Sequence, residues 1–335
     1  MRRVPRTVLM LACLALVAGC VTPPGPNRCV DRRVVMGCDA AIVVYAEDRE
    51  RAMSATREAF ECMAVIEDAL SDYRPGSEAM QVVREVGVWQ DVGPDLRHAL
   101  VESDRWRRWS RGAFDPAIGA TTRLWRESRR ADEPPSRAMR SAAAKVSGWS
   151  FVEFDPHGAR VRVVREGLRF DFGGIGKGIA ADAALRRLRS AGFDRVLVDV
   201  GGDILIGAPP PGRPGWSIGV EDPAGRTVET LVLSHAAVAT SGDRHQHLTT
   251  TDGRRLSHII DGRTLDPISG PARVTVIVRA TEDAATAADA LASIASILDP
   301  EDLRANTGPG LDATILIQDG DESPVEIVLE SASGR

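Results

Sequence analysis

Residues 171–178 read DFGGIGKG: four glycines around one lysine, with an aspartate at the head. A backbone so short of side chains serves a tight turn or a close approach and little else, so this stretch restricts the fold around it more than any other. A P-loop is excluded, because Asp171 stands where its first glycine belongs and Lys177 is followed by Gly178 rather than Ser or Thr. A dinucleotide fingerprint is excluded too, since Gly174, Gly176 and Gly178 give G-x-G-x-G. Downstream, Ala181, Ala184, Leu185 and Leu188 recur at helical spacing and Gly192 supplies a stop. DRVLVDVGGD then reads as a buried strand ending in a glycine turn. The glycine stretch therefore feeds a helix N-terminus, where free N–H groups and the helix dipole favour an anion. A plain strand-to-helix turn explains the glycines; an anion site would also explain the acid and lysine beside them.

The first residues are a separate matter. MRRVPR is basic, TVLMLACLALVAG is apolar but short for a membrane-spanning helix, and LVAGC ends at Cys20. This is the pattern of a bacterial lipoprotein signal over residues 1–19, with Cys20 acylated as the new N-terminus; a plain secretory signal is the alternative. Residues 20–34, with VTPPGPNR, read as a flexible tether and residues 35–330 as the domain. The expected location is the cell envelope, lipid-anchored and facing the periplasm or exterior. A net charge of -5 and a pI near 5.8 argue against a general nucleic-acid binder. Cys29, Cys38 and Cys62 have neither zinc-site nor disulfide-framework spacing.

Within the domain, Asp48 opens a long helix carrying Met53, Thr56, Phe60, Met63, Ile66 and Leu70 on one face, and a second helix runs from Pro94 to Trp109. After residue 150 strands dominate, among them LRFDF, VLVDV, WSIGVEDP, VTVIV and TILIQD, with the alanine-rich helix EDAATAADALASIASIL set between them. Helices and strands without strict alternation give the class α+β.

Eight segments in order, MGC, SDYRPGSE, GAFDPAIG, DFGGIGKGIAAD, VDVGGD, ATSGD, SHIID and AADALAS, resemble the ApbE family of FAD:protein FMN transferases. The likeness runs from about Met36 to Leu298 and implies a single ApbE-like, T-fold-like catalytic domain. It implies a magnesium-dependent transferase that moves FMN from FAD to a Thr or Ser hydroxyl of an exported or membrane redox protein and releases AMP. Such a reaction needs charge neutralisation on the phosphates. Two alternatives share the site: FAD hydrolysis to FMN and AMP with water as the nucleophile, and flavin binding without turnover.

By the same resemblance, Gly174 (through its carbonyl), Asp289 and Ser293 match magnesium ligands; the last two are i and i+4 on one helix face. Met36 and Tyr73 match residues that pack on the FAD rings, Ala113, Phe114 and Asp115 the segment lining the cofactor, and Asp171 and Lys177 positions that contact FAD. His258 matches a histidine near the phosphates and is the candidate general base. The sequence departs from the family at Cys38 and Ala117, each in place of threonine, and at Gly262 and Leu265 beside His258.

Overall fold

The computed structural model describes residues 26–244, 246–269, 273–279, 281–306, 311–318 and 324–330. The expected signal over 1–19 and the lipidation site at Cys20 lie outside the described residues. Strands β1 (Asn27–Val35) and β2 (Cys38–Ala46) pair from Asn27 opposite Ala46 to Val35 opposite Cys38. Met36 and Gly37 are thus the whole turn, with φ of 56° and 72°. Positive φ at both central residues is what a two-residue hairpin needs to match the twist of its strands. Glycine takes it freely; a side chain there costs roughly 1–2 kcal/mol. The tether expected over 20–34 is therefore corrected: residues 27–34 are strand, with Cys29 turned to the core and Arg28, Arg32 and Arg33 exposed. Charges on the solvent side masked the alternation.

Asp48 caps α1 (Arg49–Leu70) by accepting the Arg51 amide at 3.0 Å, and Phe60, Met63, Ile66 and Leu70 are buried as their spacing predicts. Next come α2 (Glu78–Val82), β3 (Gln90–Asp91) and α3 (Pro94–Trp109), the last starting on its proline. A 3-10 turn at Pro116–Ile118 runs into α4 (Gly119–Ala131), followed by α5 (Arg137–Ala144). Strands β4 (Val152–Asp155) and β5 (Arg160–Val163) join β3 in a small sheet.

LRFDF forms no strand. Leu168, Phe170 and Phe172 are buried at period two, yet the hydrogen bonds of the segment go to the turn before α4: Asp171 N to Pro116 O at 2.7 Å, Gly119 N to Arg169 O at 2.9 Å. Period two marks an extended chain buried on one side and does not name its partner.

The glycine stretch leads into α6 (Gly176–Ser190), then β6 (Val196–Val200), β7 (Asp203–Ile206), the hairpin of β8 (Trp216–Glu221) and β9 (Thr227–Leu233), and β10 (Ala236–Gly242). A small hairpin of β11 (His247–Thr249) and β12 (Arg255–Ser257) precedes β13 (Arg273–Arg279). The chain continues through α7 (Ala284–Ala295), α8 (Pro300–Ala305), β14 (Ala313–Gln318) and β15 (Val325–Leu329). The main sheet has the order β1-β2-β6-β7-β10-β13-β14-β15, every neighbouring pair antiparallel. α1 packs on α6, α6 on α7, and α7 on β10 and β13. A separate apolar cluster of Val43, Ile206, Trp216, Ile218 and Val238 seats the β8–β9 hairpin. Helices and an antiparallel sheet in one domain are the expected α+β class.

What fixes the site is the meeting of α6 and α7. Gly178 lies where a Cβ would collide with the Ala285 carbonyl, so only glycine allows the two helices to approach this closely. Neither helix start is capped by its own preceding side chain. Each is capped by the other. Asp289 of α7 accepts the Gly178 amide of α6 at 3.0 Å, and Asp182 of α6 accepts the Ala285 and Thr286 amides of α7 at 3.2 and 2.8 Å. Two helix N-termini thus exchange aspartates, satisfying orphan donors that would otherwise be buried.

Candidate active site

A cavity of about 1080 Å³ opens between the glycine turn, the Met36–Gly37 hairpin, the loop before α4, β10 and the loop after β12. It brings together most of the residues singled out in the sequence: Met36, Tyr73, Phe114, Asp115, Asp171, Gly174, Lys177, His258, Asp289 and Ser293 all line it. Ala113 does not. It is wholly buried, and its carbonyl accepts the Gly262 amide at 2.9 Å, so its work is to hold the loop behind His258.

At the helical end, Asp203 and Asp289 are 3% exposed. Lys177 pairs closely with Asp203 and lies 3.9 Å from Asp289 Oδ1. Burial works against the ammonium, but the two carboxylates outweigh it and raise its pKa. Lys177 is therefore not a free cation awaiting a phosphate; it is bound to two acids. Burial pushes Asp289 up to about 7, with Lys177 pulling it down and Asp203 pushing it further up. Its Oδ2 accepts the Gly178 amide, Oδ1 lies 3.9 Å from the ammonium, and the carboxyl also meets that of Asp203. Ser293 Oγ lies 2.8 Å from where a Cβ of Gly174 would stand, so the absence of that side chain opens the cradle between turn and helix. Carboxylate, hydroxyl and the turn's carbonyl are hard oxygen donors of the kind magnesium takes, and the rest of its shell would be water and ligand oxygens. Among the described residues no group of three or more His, Cys, Asp or Glu could hold a metal.

The opposite end is built from loops. Asp115 spends both oxygens on backbone amides, Ala117 N at 2.8 Å and Trp149 N at 2.9 Å, so it shapes the GAFDPAIG turn from the cavity wall. Tyr73 is 64% exposed at the mouth, with the Arg126 guanidinium 4.3 Å over its ring. Arg126 also pairs with Asp72 at 2.7 Å and Asp171 at 3.5 Å. His258 is partly buried, with its amide donating to Gln246 O at 2.9 Å and its Nδ1 buried without a hydrogen-bond partner. Burial first, and the Arg129 charge next, lower its pKa to about 4, so the imidazole is neutral at pH 7.

The two departures beside His258 have structural consequences. Gly262 sits against the GAFD turn, where a Cβ would strike the Gly112 carbonyl and Asp115. Leu265 is held at φ 61°, a left-handed conformation that suits glycine and not leucine. Its side chain packs against the small cluster of Ile118, Trp125, Leu248 and Ile260.

Three residues of the site escaped the sequence reading: Asp203, buried behind the lining Lys177, and Glu67 and Arg129 on the cavity wall. Asp203 could have been found, because an acid straight after a glycine turn on a buried strand is unusual company. Glu67, whose Oε2 accepts the Met36 amide at 2.9 Å, and Arg129 carry no local signal. Arg129 is half-buried and has no acidic partner within ion-pair distance among the described residues, and burial and its neighbour Arg126 lower its pKa.

An antiparallel sheet backed by α1, α6 and α7, with an oxygen-lined cavity between the C-terminal end of α1, the N-terminus of α6 and the second half of α7, defines the class. Residues 36–315 match the ApbE family, and the chain belongs to that family. It is 30% identical over 312 residues to the FAD:protein FMN transferase of Treponema pallidum (strain Nichols), covering 85% of this chain and 83% of that one. The Chlamydia muridarum (strain MoPn / Nigg) FAD:protein FMN transferase is 24% identical over 83% of this chain and 86% of its own length. Among solved structures, the ApbE protein of Thermotoga maritima superposes with a TM-score of 0.76 at 28% identity, covering 92% of this chain and 98% of that one. The apo form of the Pseudomonas stutzeri flavinyl transferase ApbE has the same fold, with a TM-score of 0.77 at 24% identity over 91% and 96% of the two chains.

Proposed function

We propose that this protein is an FAD:protein FMN transferase that requires magnesium and releases AMP. Membership of the family supports the transferase reading. The observation that carries the metal-dependent form is the buried Asp289 carboxyl, crowded against the Asp203 carboxyl, beside Ser293 and the open cradle at Gly174. A cation held by Asp289, the Ser293 hydroxyl and the Gly174 carbonyl would neutralise charge on the FAD pyrophosphate.

The chain's own residues divide the remaining work. Met36 and Phe114 offer apolar surface to the flavin, and Tyr73 offers a ring at the mouth. The strained φ of Met36 places a methionine in the cavity where an ordinary hairpin would use asparagine, a local cost consistent with a binding role. Arg129, half-buried on the cavity wall with no ion pair among the described residues, suits the negative charge of FAD. His258 lines the cavity as a neutral imidazole, which can accept a proton. In the transfer, the acceptor's hydroxyl oxygen forms a bond to the FMN phosphorus and the bond from that phosphorus to the AMP oxygen breaks. AMP leaves with the electron pair, and the hydroxyl proton passes to His258.

Incubating the purified protein with FAD and magnesium, with and without a flavoprotein acceptor, tests this. AMP release accompanied by an acceptor mass gain of one FMN is expected. AMP release that never depends on acceptor, with no mass gain, would replace transfer by hydrolysis.

A further inference from the structure

A second hollow, of about 400 Å³, adjoins the first across a wall made of Asp72, Tyr73 and Arg126. Its other side is the outer face of α4, where Arg123, Arg126 and Arg130 recur at helical spacing, completed by Arg169. Four guanidiniums face two carboxylates, Asp72 and Glu127, on a chain that is acidic overall. The inner pair is held in place. Arg126 is locked between Asp72 and the Tyr73 ring, and Arg169 donates to the Asp72 carbonyl at 2.9 Å. Arg169 Nε is nonetheless buried without a hydrogen-bond partner, a donor left unused by the fold. The outer pair is available. Arg123 has only an exposed i,i+4 pair with Glu127 at 2.8 Å, the kind that stabilises least, and Arg130 is exposed with no ion pair among the described residues.

We propose that this hollow docks an acidic segment of the acceptor protein, placing the neighbouring hydroxyl over the Tyr73 rim of the main cavity. The proposal rests on the transferase reading. Guanidiniums take carboxylates bidentately, and fixed ones lose less entropy on binding. Partly exposed charges of one sign at a cavity mouth also steer an oppositely charged partner. FAD and acceptor would thus occupy separate hollows sharing one wall.

The test is fluorescence anisotropy with a fluorescein-labelled Asp/Glu-rich peptide and its Asn/Gln counterpart, at low and high salt. The acidic peptide is expected to bind, to weaken with salt, and to stay bound when FAD is saturating. The double variant Arg123→Glu/Arg130→Glu should lose roughly tenfold or more in peptide affinity while keeping its melting temperature and FAD affinity. Equal binding of the neutral peptide, displacement by FAD, or an unchanged double variant would overturn the proposal. So would binding of anionic phospholipid vesicles through the same arginines without binding of the peptide. A wild-type protein that binds the peptide but modifies no acceptor would instead bring down the transferase reading alone.

Discussion

The two ends of the cavity are built on opposite principles. At the α6–α7 end, every acid has a donor: Asp182 takes two backbone amides and the Thr286 hydroxyl at 2.7 Å, Asp289 the Gly178 amide, and Asp203 both Lys177 and the Thr240 amide at 3.3 Å. At the loop end, His258 Nδ1 is orphaned, Arg129 makes no ion pair among the described residues, and Leu265 stands in a left-handed conformation. The first end is stable in itself and its polar groups are prearranged. The second leaves its costs unsettled until something binds. Substitutions at the helical end should therefore divide between stability and metal binding, and those at the loop end should change turnover with little effect on the fold.

Asp289→Asn is the harshest test of that division. The amide keeps an oxygen for the Gly178 N–H, and a buried neutral group costs less than a carboxylate already pushed up to about 7. Stability should stay within about 1 kcal/mol of wild type. Activity should fall by on the order of 10³-fold or more, because a metal's charge stabilisation is worth several kcal/mol. Full activity at equal magnesium would remove Asp289 from the metal site and leave it only a helix cap.

His258→Asn probes the other end. Turnover should drop roughly 10²–10⁴-fold while FAD affinity, measured by flavin fluorescence, stays near wild type. Near-normal turnover at saturating FAD would sink the general-base assignment. The pH dependence has a definite sign. The folded pKa of about 4 lies below the ordinary 6.5, so the unfolded chain binds the extra proton first. The contribution of His258 to stability is complete above pH 6.5 and is lost as pH falls from there towards 4. In His258→Asn that acid limb should flatten, as read by melting temperature across the range. An unchanged limb would mean another group carries it.

Asp182→Ala sharpens the comparison from the stability side, since Asp182 never lines the cavity. Two backbone amides and a hydroxyl would lose their acceptor at the start of α7, a cost of about 2–4 kcal/mol. Denaturant unfolding would measure it. A loss well under 1 kcal/mol would show that water replaces the carboxylate and that the exchanged caps are not what holds the two helices.

How much of this could be read in the sequence differs between the same two ends. Helix α1 was legible from its cap and apolar spacing, and the glycine turn with its helix from composition alone. These signals are local. The pairing of Asp182 with α7 and of Asp289 with α6 was not legible, because it depends on Gly178 letting two segments over a hundred residues apart cross closely. LRFDF showed its period and hid its partner, and β1 hid behind arginines. At the loop end, His258 was found through the family motif, whereas Arg129 sits on an arginine-rich helix where nothing local separates it from solvated neighbours. Gly262 and Leu265 looked like damage to the motif. One proves to be a close contact and the other a strained residue that packs.

Leu265 gives the smallest expected effect and the finest cut through the comparison. Leu265→Gly would relieve roughly 1–2 kcal/mol of left-handed strain. It would also give up the half-buried contact with Trp125 and Ile260, worth about 1–2 kcal/mol, and loosen the unfolded chain by a further 0.5–1 kcal/mol or so. The opposing effects nearly cancel, leaving stability unchanged or lowered by about 1 kcal/mol. Turnover is the more telling readout. If the strain holds the loop that presents His258, the glycine variant should fold as well as wild type yet turn over more slowly, with FAD affinity preserved. If both stability and turnover stay put, the strain at Leu265 is a packing accident, and the unsettled character of the loop end rests on His258 and Arg129 alone.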